Sequence, residues 1–271
     1  MRASLEFPCQ TETLFATLDA APGETGLLIV SGGNEIRTGA WAGQAQLAAR
    51  VAAASQPVFR GDRRGVGDSS GANGGFRETR DDIAAAVAAF RAAAPGVRCV
   101  VAFGNCDAAS ALMLFGSDLA IDALVLANPW TLDRDDGDPD DGDGDDGAVQ
   151  APAALRSRYA AKLADPAEWK RLLTGAIDLR KLAGGLRQAA APAPKSALAE
   201  QMREGLARFA GPVTMLLATR DRTAQLFAAA WGDDQRIARL DSASHSFADE
   251  SAREWLQTQV LGDLKRMERS A

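Results

Sequence analysis

The sequence predicts an α/β protein: a mostly parallel sheet of eight strands, helices on both faces, and a helical insertion in the second half of the chain. Three observations predict it. Short runs rich in Val, Leu and Ile alternate with longer Ala- and Leu-rich stretches, as in repeated strand-then-helix units. The runs at 25–30 and 100–103 are apolar without alternation, as strands covered on both faces must be. The alternation stops near residue 128 and resumes at 213, so 128–210 reads as an insertion.

The elements follow in order. Residues 3–9 and 13–18 read as two strands, an antiparallel pair at a sheet edge. The strand 25–30 ends in Ser31-Gly32-Gly33-Asn34. Glycines there either let backbone N–H groups face a ligand or simply turn the chain into the next helix. A helix at 44–53 and a short strand at 56–60 lead to Asp62-Arg63-Arg64-Gly65-Val66-Gly67-Asp68-Ser69. That turn lacks the Lys-Ser/Thr of a phosphate loop. A helix spans 79–93, with Thr79 as N-cap and Asp81 and Asp82 near its positive end.

Then come the strand 97–103, the helix 108–115, and a strand 122–127 stopped by Asn128-Pro129-Trp130. Helical segments are expected at 153–164, 166–174, 178–189 and 196–209, with a Pro-rich joint at 190–194. The strand 213–218, helix 223–231, strand 236–240 and helix 250–266 complete the core. The domains are therefore a core of 1–127 with 211–271, and a cap of 128–210.

Composition narrows the function. With 271 residues, 46% apolar and 24% charged, the chain reads as one ordinary globular domain with an insertion. Nine Asp and one Arg between 133 and 146 carry −8 of the net −6, which leaves +2 elsewhere. No basic stripe remains, so no nucleic-acid partner is expected. In that acidic tract Asp136, Asp138 and Asp140 alternate, but Asp141 stands where a calcium loop needs Gly, and no Glu follows within it. A solvated, disordered loop is expected instead of a metal site. No apolar leader or membrane-length run is present, and three scattered cysteines make no disulfide framework, so a cytoplasmic protein without membrane insertion is expected.

The chemistry centres on Gly104-Asn105-Cys106-Asp107-Ala108. A buried strand, small residues and a helix-forming run make a sharp strand–turn–helix with Cys106 at its apex. Helix N–H groups there favour negative charge on sulfur; the bland alternative is a small buried Cys at a strand end. The single histidine, His245, lies in a small-residue loop after the last strand, at the edge where open α/β sheets bind ligands. Asp221 follows the preceding strand and is either the carboxylate that orients the imidazole or a helix N-cap, a role for which Thr223 competes. Cys99 reads as inert packing, Trp169 and Trp231 as anchors, and Trp130 as an anchor that could also line a pocket.

The elbow, Ser31-Gly32-Gly33-Asn34, Asp62-x-Arg64-Gly65-x-Gly67-x-Ser69 and the Asp221/His245 pair resemble an α/β-hydrolase over nearly the whole chain. More narrowly, Gly104-x-Cys106-Asp107-Ala108-Ala109-Ser110 with the 62–69 turn resembles the exosortase A system-associated hydrolase 1 group, bacterial proteins encoded near exopolysaccharide and protein-sorting genes. Dienelactone hydrolase, with a Cys-His-Asp triad, is a broader relative. One departure is Asn34-Glu35-Ile36-Arg37, where the group implies Pro-Gln-Tyr-Arg.

The resemblance implies an α/β-hydrolase fold, the nucleophile Cys106, the base His245 and the acid Asp221. It further implies an oxyanion hole from the N–H of Asp107 and that of Gly33 or Asn34, with Arg37 and Trp130 near the substrate. The implied reaction is cleavage of a small-molecule acyl ester or thioester through an acyl-Cys intermediate, with no cofactor and no metal. An acyltransferase shares that intermediate, and a non-catalytic binding protein shares the fold.

Overall fold

The chain opens with an antiparallel hairpin of β1 (Arg2–Cys9) and β2 (Glu12–Asp19). The computed structural model describes residues 1–132 and 196–270. Strand and helix then alternate as β3 (Thr25–Val30), α1 (Gly43–Ala53), β4 (Val58–Gly61), α2 (Arg80–Ala93), β5 (Cys99–Asn105), α3 (Asp107–Phe115) and β6 (Ala123–Ala127). After residue 195 follow α4 (Ala197–Arg208), β7 (Val213–Ala218), α5 (Arg222–Trp231), β8 (Ile237–Leu240) and α6 (Glu250–Glu268). No described helix is long and apolar enough to cross a membrane.

The strands form one sheet in the order β1-β2-β4-β3-β5-β6-β7-β8. The β1–β2 and β2–β4 pairs are antiparallel, and the five pairs from β4–β3 to β7–β8 are parallel. Successive side chains of a strand point to opposite faces, and β5 divides accordingly. Val100 and Ala102 enter one core with Phe90 of α2, Leu112 of α3 and Phe227 of α5. Val101 and Phe103 enter the other, with Leu47 and Val51 of α1 and Val260 and Leu264 of α6. Each of the Val, Leu and Phe side chains among them, removed from water, contributes about 1.5–3 kcal/mol before the entropy of ordering it.

Parallel register carries β5 and β3 to a common edge, with Gly104 opposite Val30, and β6 ends beside them with Ala127 opposite Asn105. The loops after β3, β5, β6, β7 and β8 therefore open at one rim.

The expected helices at 153–164, 166–174 and 178–189, the acidic tract at 133–147 and Trp169 lie outside the described residues. Both stems of that segment are described. Ser196 Oγ donates to the Thr131 carbonyl at 2.6 Å and accepts the Ala199 N–H as the N-cap of α4. Thr131 and Ser196 are thus in direct contact. α4 itself packs on the core: Leu198, Met202 and Leu206 are buried with Leu112 and Met113. A Cβ on Gly205 would stand 2.1 Å from the Met113 carbonyl, so only glycine permits this approach.

Thr79 precedes α2 as expected, but its hydroxyl does not cap the helix; it turns back to donate to the Phe76 carbonyl at 2.8 Å.

Candidate functional site

Cys106 stands between β5 and α3 with φ 60° and ψ −126°. A non-glycine residue reaches this region only where its surroundings hold it there. Several contacts do so. Cys106 N–H donates to the Ala127 carbonyl at 3.0 Å, and its own carbonyl accepts the N–H groups of Ser110 and Trp130, each at 3.3 Å. A Cβ on Gly104 would lie 2.8 Å from the Ala108 carbonyl carbon and the Ala109 nitrogen, so strand and helix approach closely only because residue 104 is glycine. The turn lifts the side chain at its apex above the sheet edge and leaves the Asp107 N–H in the first turn of α3, where helix amides lack internal partners.

Asp221 ends the loop after β7, and His245 lies in the loop after β8. Thr219 N–H donates to the Leu240 carbonyl at 2.8 Å and Arg220 N–H to the Ser242 carbonyl at 2.9 Å, which zips the two loops together. His245 Nδ1 lies 3.0 Å from Asp221 Oδ2. Cys106 is among the groups that act on the imidazole. Burial works against a charge on His245, but Asp221 and Cys106 outweigh it and push the imidazole up from 6.5 to about 10.

The other two thiols lack such a setting. Burial first, and then a carboxylate neighbour, pushes Cys9 and Cys99 up to about 11; Cys9 lies 3.4 Å from Asp82. Among the described residues no group of His, Cys, Asp and Glu could hold a metal ion.

The model of the alpha/beta hydrolase family matches residues 27–258. The chain belongs to that family. Among solved structures it is similar to an esterase of Pyrococcus furiosus, at 13% identity over 98% of this chain and 91% of the other, with a TM-score of 0.59. It is also similar to the thioesterase domain of the curacin biosynthetic pathway, at 13% identity, 96% and 99% coverage and a TM-score of 0.56. A third is DcsB in complex with its substrate analogue, at 14% identity, 98% and 99% coverage and a TM-score of 0.63. At such identities the likeness is one of fold. A search of curated proteins returns no match.

Within the hydrolase fold, the side chains and amides around the loop after β3 have the following partners. Of the two amides that the resemblance offers as second oxyanion donor, Gly33 or Asn34, the Gly33 N–H donates to Asp107 Oδ1 at 2.7 Å. The Asp107 carboxylate reaches across the elbow, and the Gly33 amide is already occupied. The Arg37 guanidinium binds Asp62 and Asp68, the latter at 2.8 Å, and its Nε donates to Thr17. Arg37 braces the loop after β4 against the loop after β3. Asn34 directly follows Gly33 in that loop, and its side chain accepts from Asn73 Nδ2 at 2.8 Å. Trp130 sits beside the elbow; its carbonyl accepts from Ser110 Oγ at 2.7 Å and its indole donates to the Leu132 carbonyl at 3.1 Å.

Three residues of the site were not read from sequence. Asn128, wholly buried and at φ 40°, donates from Nδ2 to the His245 carbonyl at 2.9 Å while its Oδ1 accepts the Ala218 N–H at 2.9 Å. Asn105 adds a second, longer bond to the same His245 carbonyl at 3.3 Å. Together they fix the imidazole loop to the ends of β5, β6 and β7. Asn tolerates the left-handed region, and Asn128-Pro129 after a strand was the available signal, though it reads equally as a stop. The third is Glu35, whose carboxyl burial pushes up although the Ala40 N–H and the His245 charge oppose the shift.

A cleft of about 570 Å³, open mouth included, adjoins the His245 loop between α1 and α6, lined among others by Glu35, Trp41, Arg253 and Phe247. Its walls do not include Cys106. Trp41 closes over the loop, its indole donating to Ser246 Oγ at 3.0 Å. Phe247, 1% exposed and stacked on Trp255, anchors the loop from below.

Proposed function

We propose that this alpha/beta hydrolase cleaves an acyl ester or thioester with Cys106 as nucleophile, His245 as general base and acid, and Asp221 as the carboxylate that orients the imidazole. The observation that supports it is the Cys106 backbone at φ 60°, ψ −126° at the head of α3, with the single imidazole held by Asp221 at 3.0 Å.

The chemistry balances without a cofactor. His245 holds the thiol proton, and the sulfur lone pair attacks the acyl carbon, forming the S–C bond as the carbonyl π pair moves to oxygen. As that pair returns, the bond to the leaving group breaks and His245 passes its proton to the departing alkoxide or thiolate. Water then attacks the thioester, giving its proton to His245; the carboxylic acid leaves and the thiol is restored. The Asp107 N–H faces the developing oxyanion with a second donor from the loop after β3. One such donor is worth about 3–4 kcal/mol of barrier. Esters and thioesters suit a sulfur nucleophile because their leaving groups depart more readily than an amine.

The resemblance of the elbow and the 62–69 turn to the exosortase A system-associated hydrolase 1 group supports a small acyl substrate linked to exopolysaccharide or protein-sorting chemistry. The test is turnover of p-nitrophenyl acetate and alkylation by iodoacetamide, in the wild type and in Cys106→Ala. Loss of both in the variant is expected; unchanged turnover overturns the assignment.

A further inference from the structure

The loop after β3 and the elbow are joined by a closed ring of polar contacts. Asp107 Oδ1 accepts the Gly33 N–H at 2.7 Å. Asp107 Oδ2 lies 3.3 Å from Arg63 Nη2. The same Nη2 donates to the Gly33 carbonyl, so both ends of residue 33 are held by one carboxylate and one guanidinium. Both side chains are largely buried, Arg63 at 8% exposure and Asp107 at 15%.

The backbone is shaped around this ring. Gly33 has φ +53°, and a Cβ on Gly32 would stand 2.5 Å from Asp107 Oδ1 and 2.8 Å from the Asn105 carbonyl. The two glycines therefore let the carboxylate close on the loop. Asp107 is also the residue whose N–H faces the reacting carbonyl in the mechanism above. Its backbone would serve the oxyanion while its side chain grips the opposite wall of the same hole. A carboxylate left free there would repel an oxyanion; bound to an amide and a guanidinium, it is neutralised and becomes a strut.

We infer that Asp107 and Arg63 are positioning residues that build the oxyanion hole: they clamp the Gly33 peptide so that the next amide, Asn34 N–H, is the second donor, and Gly33 N–H is an anchor. This rests on the acyl-Cys reading of Cys106. It differs from a gate, in which the carboxylate would have to leave the Gly33 amide before catalysis and its removal would speed the reaction.

Two reagents on the same sulfur separate these readings. Iodoacetamide alkylates a thiolate by displacement and forms no oxyanion. p-Nitrophenyl acetate acylates through a tetrahedral oxyanion, seen as a burst of p-nitrophenolate. In Asp107→Ala and Arg63→Gln the burst rate constant is expected to fall roughly 100-fold, the scale of one lost oxyanion donor, while alkylation of Cys106 stays within about threefold of wild type. Asp107→Asn keeps an oxygen for the Gly33 N–H and is expected to recover part of the burst rate.

Burst rates equal to or above wild type in Asp107→Ala overturn the clamp. Equal losses in burst and alkylation also overturn it, because they mark general damage to the elbow. A wild-type protein that alkylates at Cys106 but gives no p-nitrophenolate overturns the acyl-Cys reading itself, which keeps the two failures apart.

Discussion

Asp221 Oδ2 lies 3.0 Å from His245 Nδ1 and accepts the Ala224 N–H at 2.9 Å. One carboxylate oxygen thus orients the imidazole and caps α5. The N-cap reading of Asp221 holds, and Thr223 lies inside the helix rather than at its cap. The cap fixes the carboxylate rotamer, and the fixed rotamer aims the imidazole. Asp221→Asn keeps a capping oxygen, so its melting temperature should change little while kcat falls by about 10²–10⁴. Asp221→Ala should lose about 1 kcal/mol of stability in addition. Thermal unfolding alongside steady-state turnover separates the two effects.

His245 carries the pH dependence. The fold raises its pKa from 6.5 to about 10, so the bound proton stabilises the folded chain. That contribution is complete below pH 6.5 and is lost as pH rises through about 10. In urea titrations the stability advantage of wild type over His245→Gln should shrink across that window. Because Cys106 is among the groups holding the proton, Cys106→Ala should shift the imidazole midpoint downward when followed by NMR. An unmoved midpoint means that the sulfur does not contact the ring.

Asn128 links His245 to the end of β7. Asn128→Ala leaves the buried Ala218 N–H without its acceptor, at a cost of about 1–3 kcal/mol. It also releases the His245 carbonyl. Both the melting temperature and kcat should fall. Asn105→Ala removes only the longer bond to that carbonyl and should lower kcat with a smaller change in melting temperature.

Gly104 tests the packing that makes the elbow. A Cβ there would meet α3 backbone atoms at 2.8 Å, none of which is a flexible side-chain end. Gly104→Ala should destabilise by about 1–3 kcal/mol or more. The Cys106 alkylation rate should fall with it, as the strained apex relaxes.

The fold was legible because its signals are local. Continuous apolar runs, helix-length Ala/Leu stretches and glycine turns place the described elements within a few residues. The sharp turn at Cys106 was legible from its small residues, whereas Asp221 read equally as a helix N-cap, which it also is. The fine structure of the rim was not legible. Gly33 bonds to a side chain 74 positions away, and Asn128 to a carbonyl 117 positions away. Neither contact leaves a trace in spacing. Arg37 shows the same limit: its pairing with Asp62 and Asp68 leaves no mark in the spacing either.

The most direct measurement is mass spectrometry of the protein quenched in acid during turnover of p-nitrophenyl acetate. A single acetyl group on the peptide carrying Cys106, absent from Cys106→Ala and lost on standing at neutral pH, is the expected result. Steady turnover with no acetyl group on that peptide, and equal turnover by the variant, would contradict a covalent path through the sulfur.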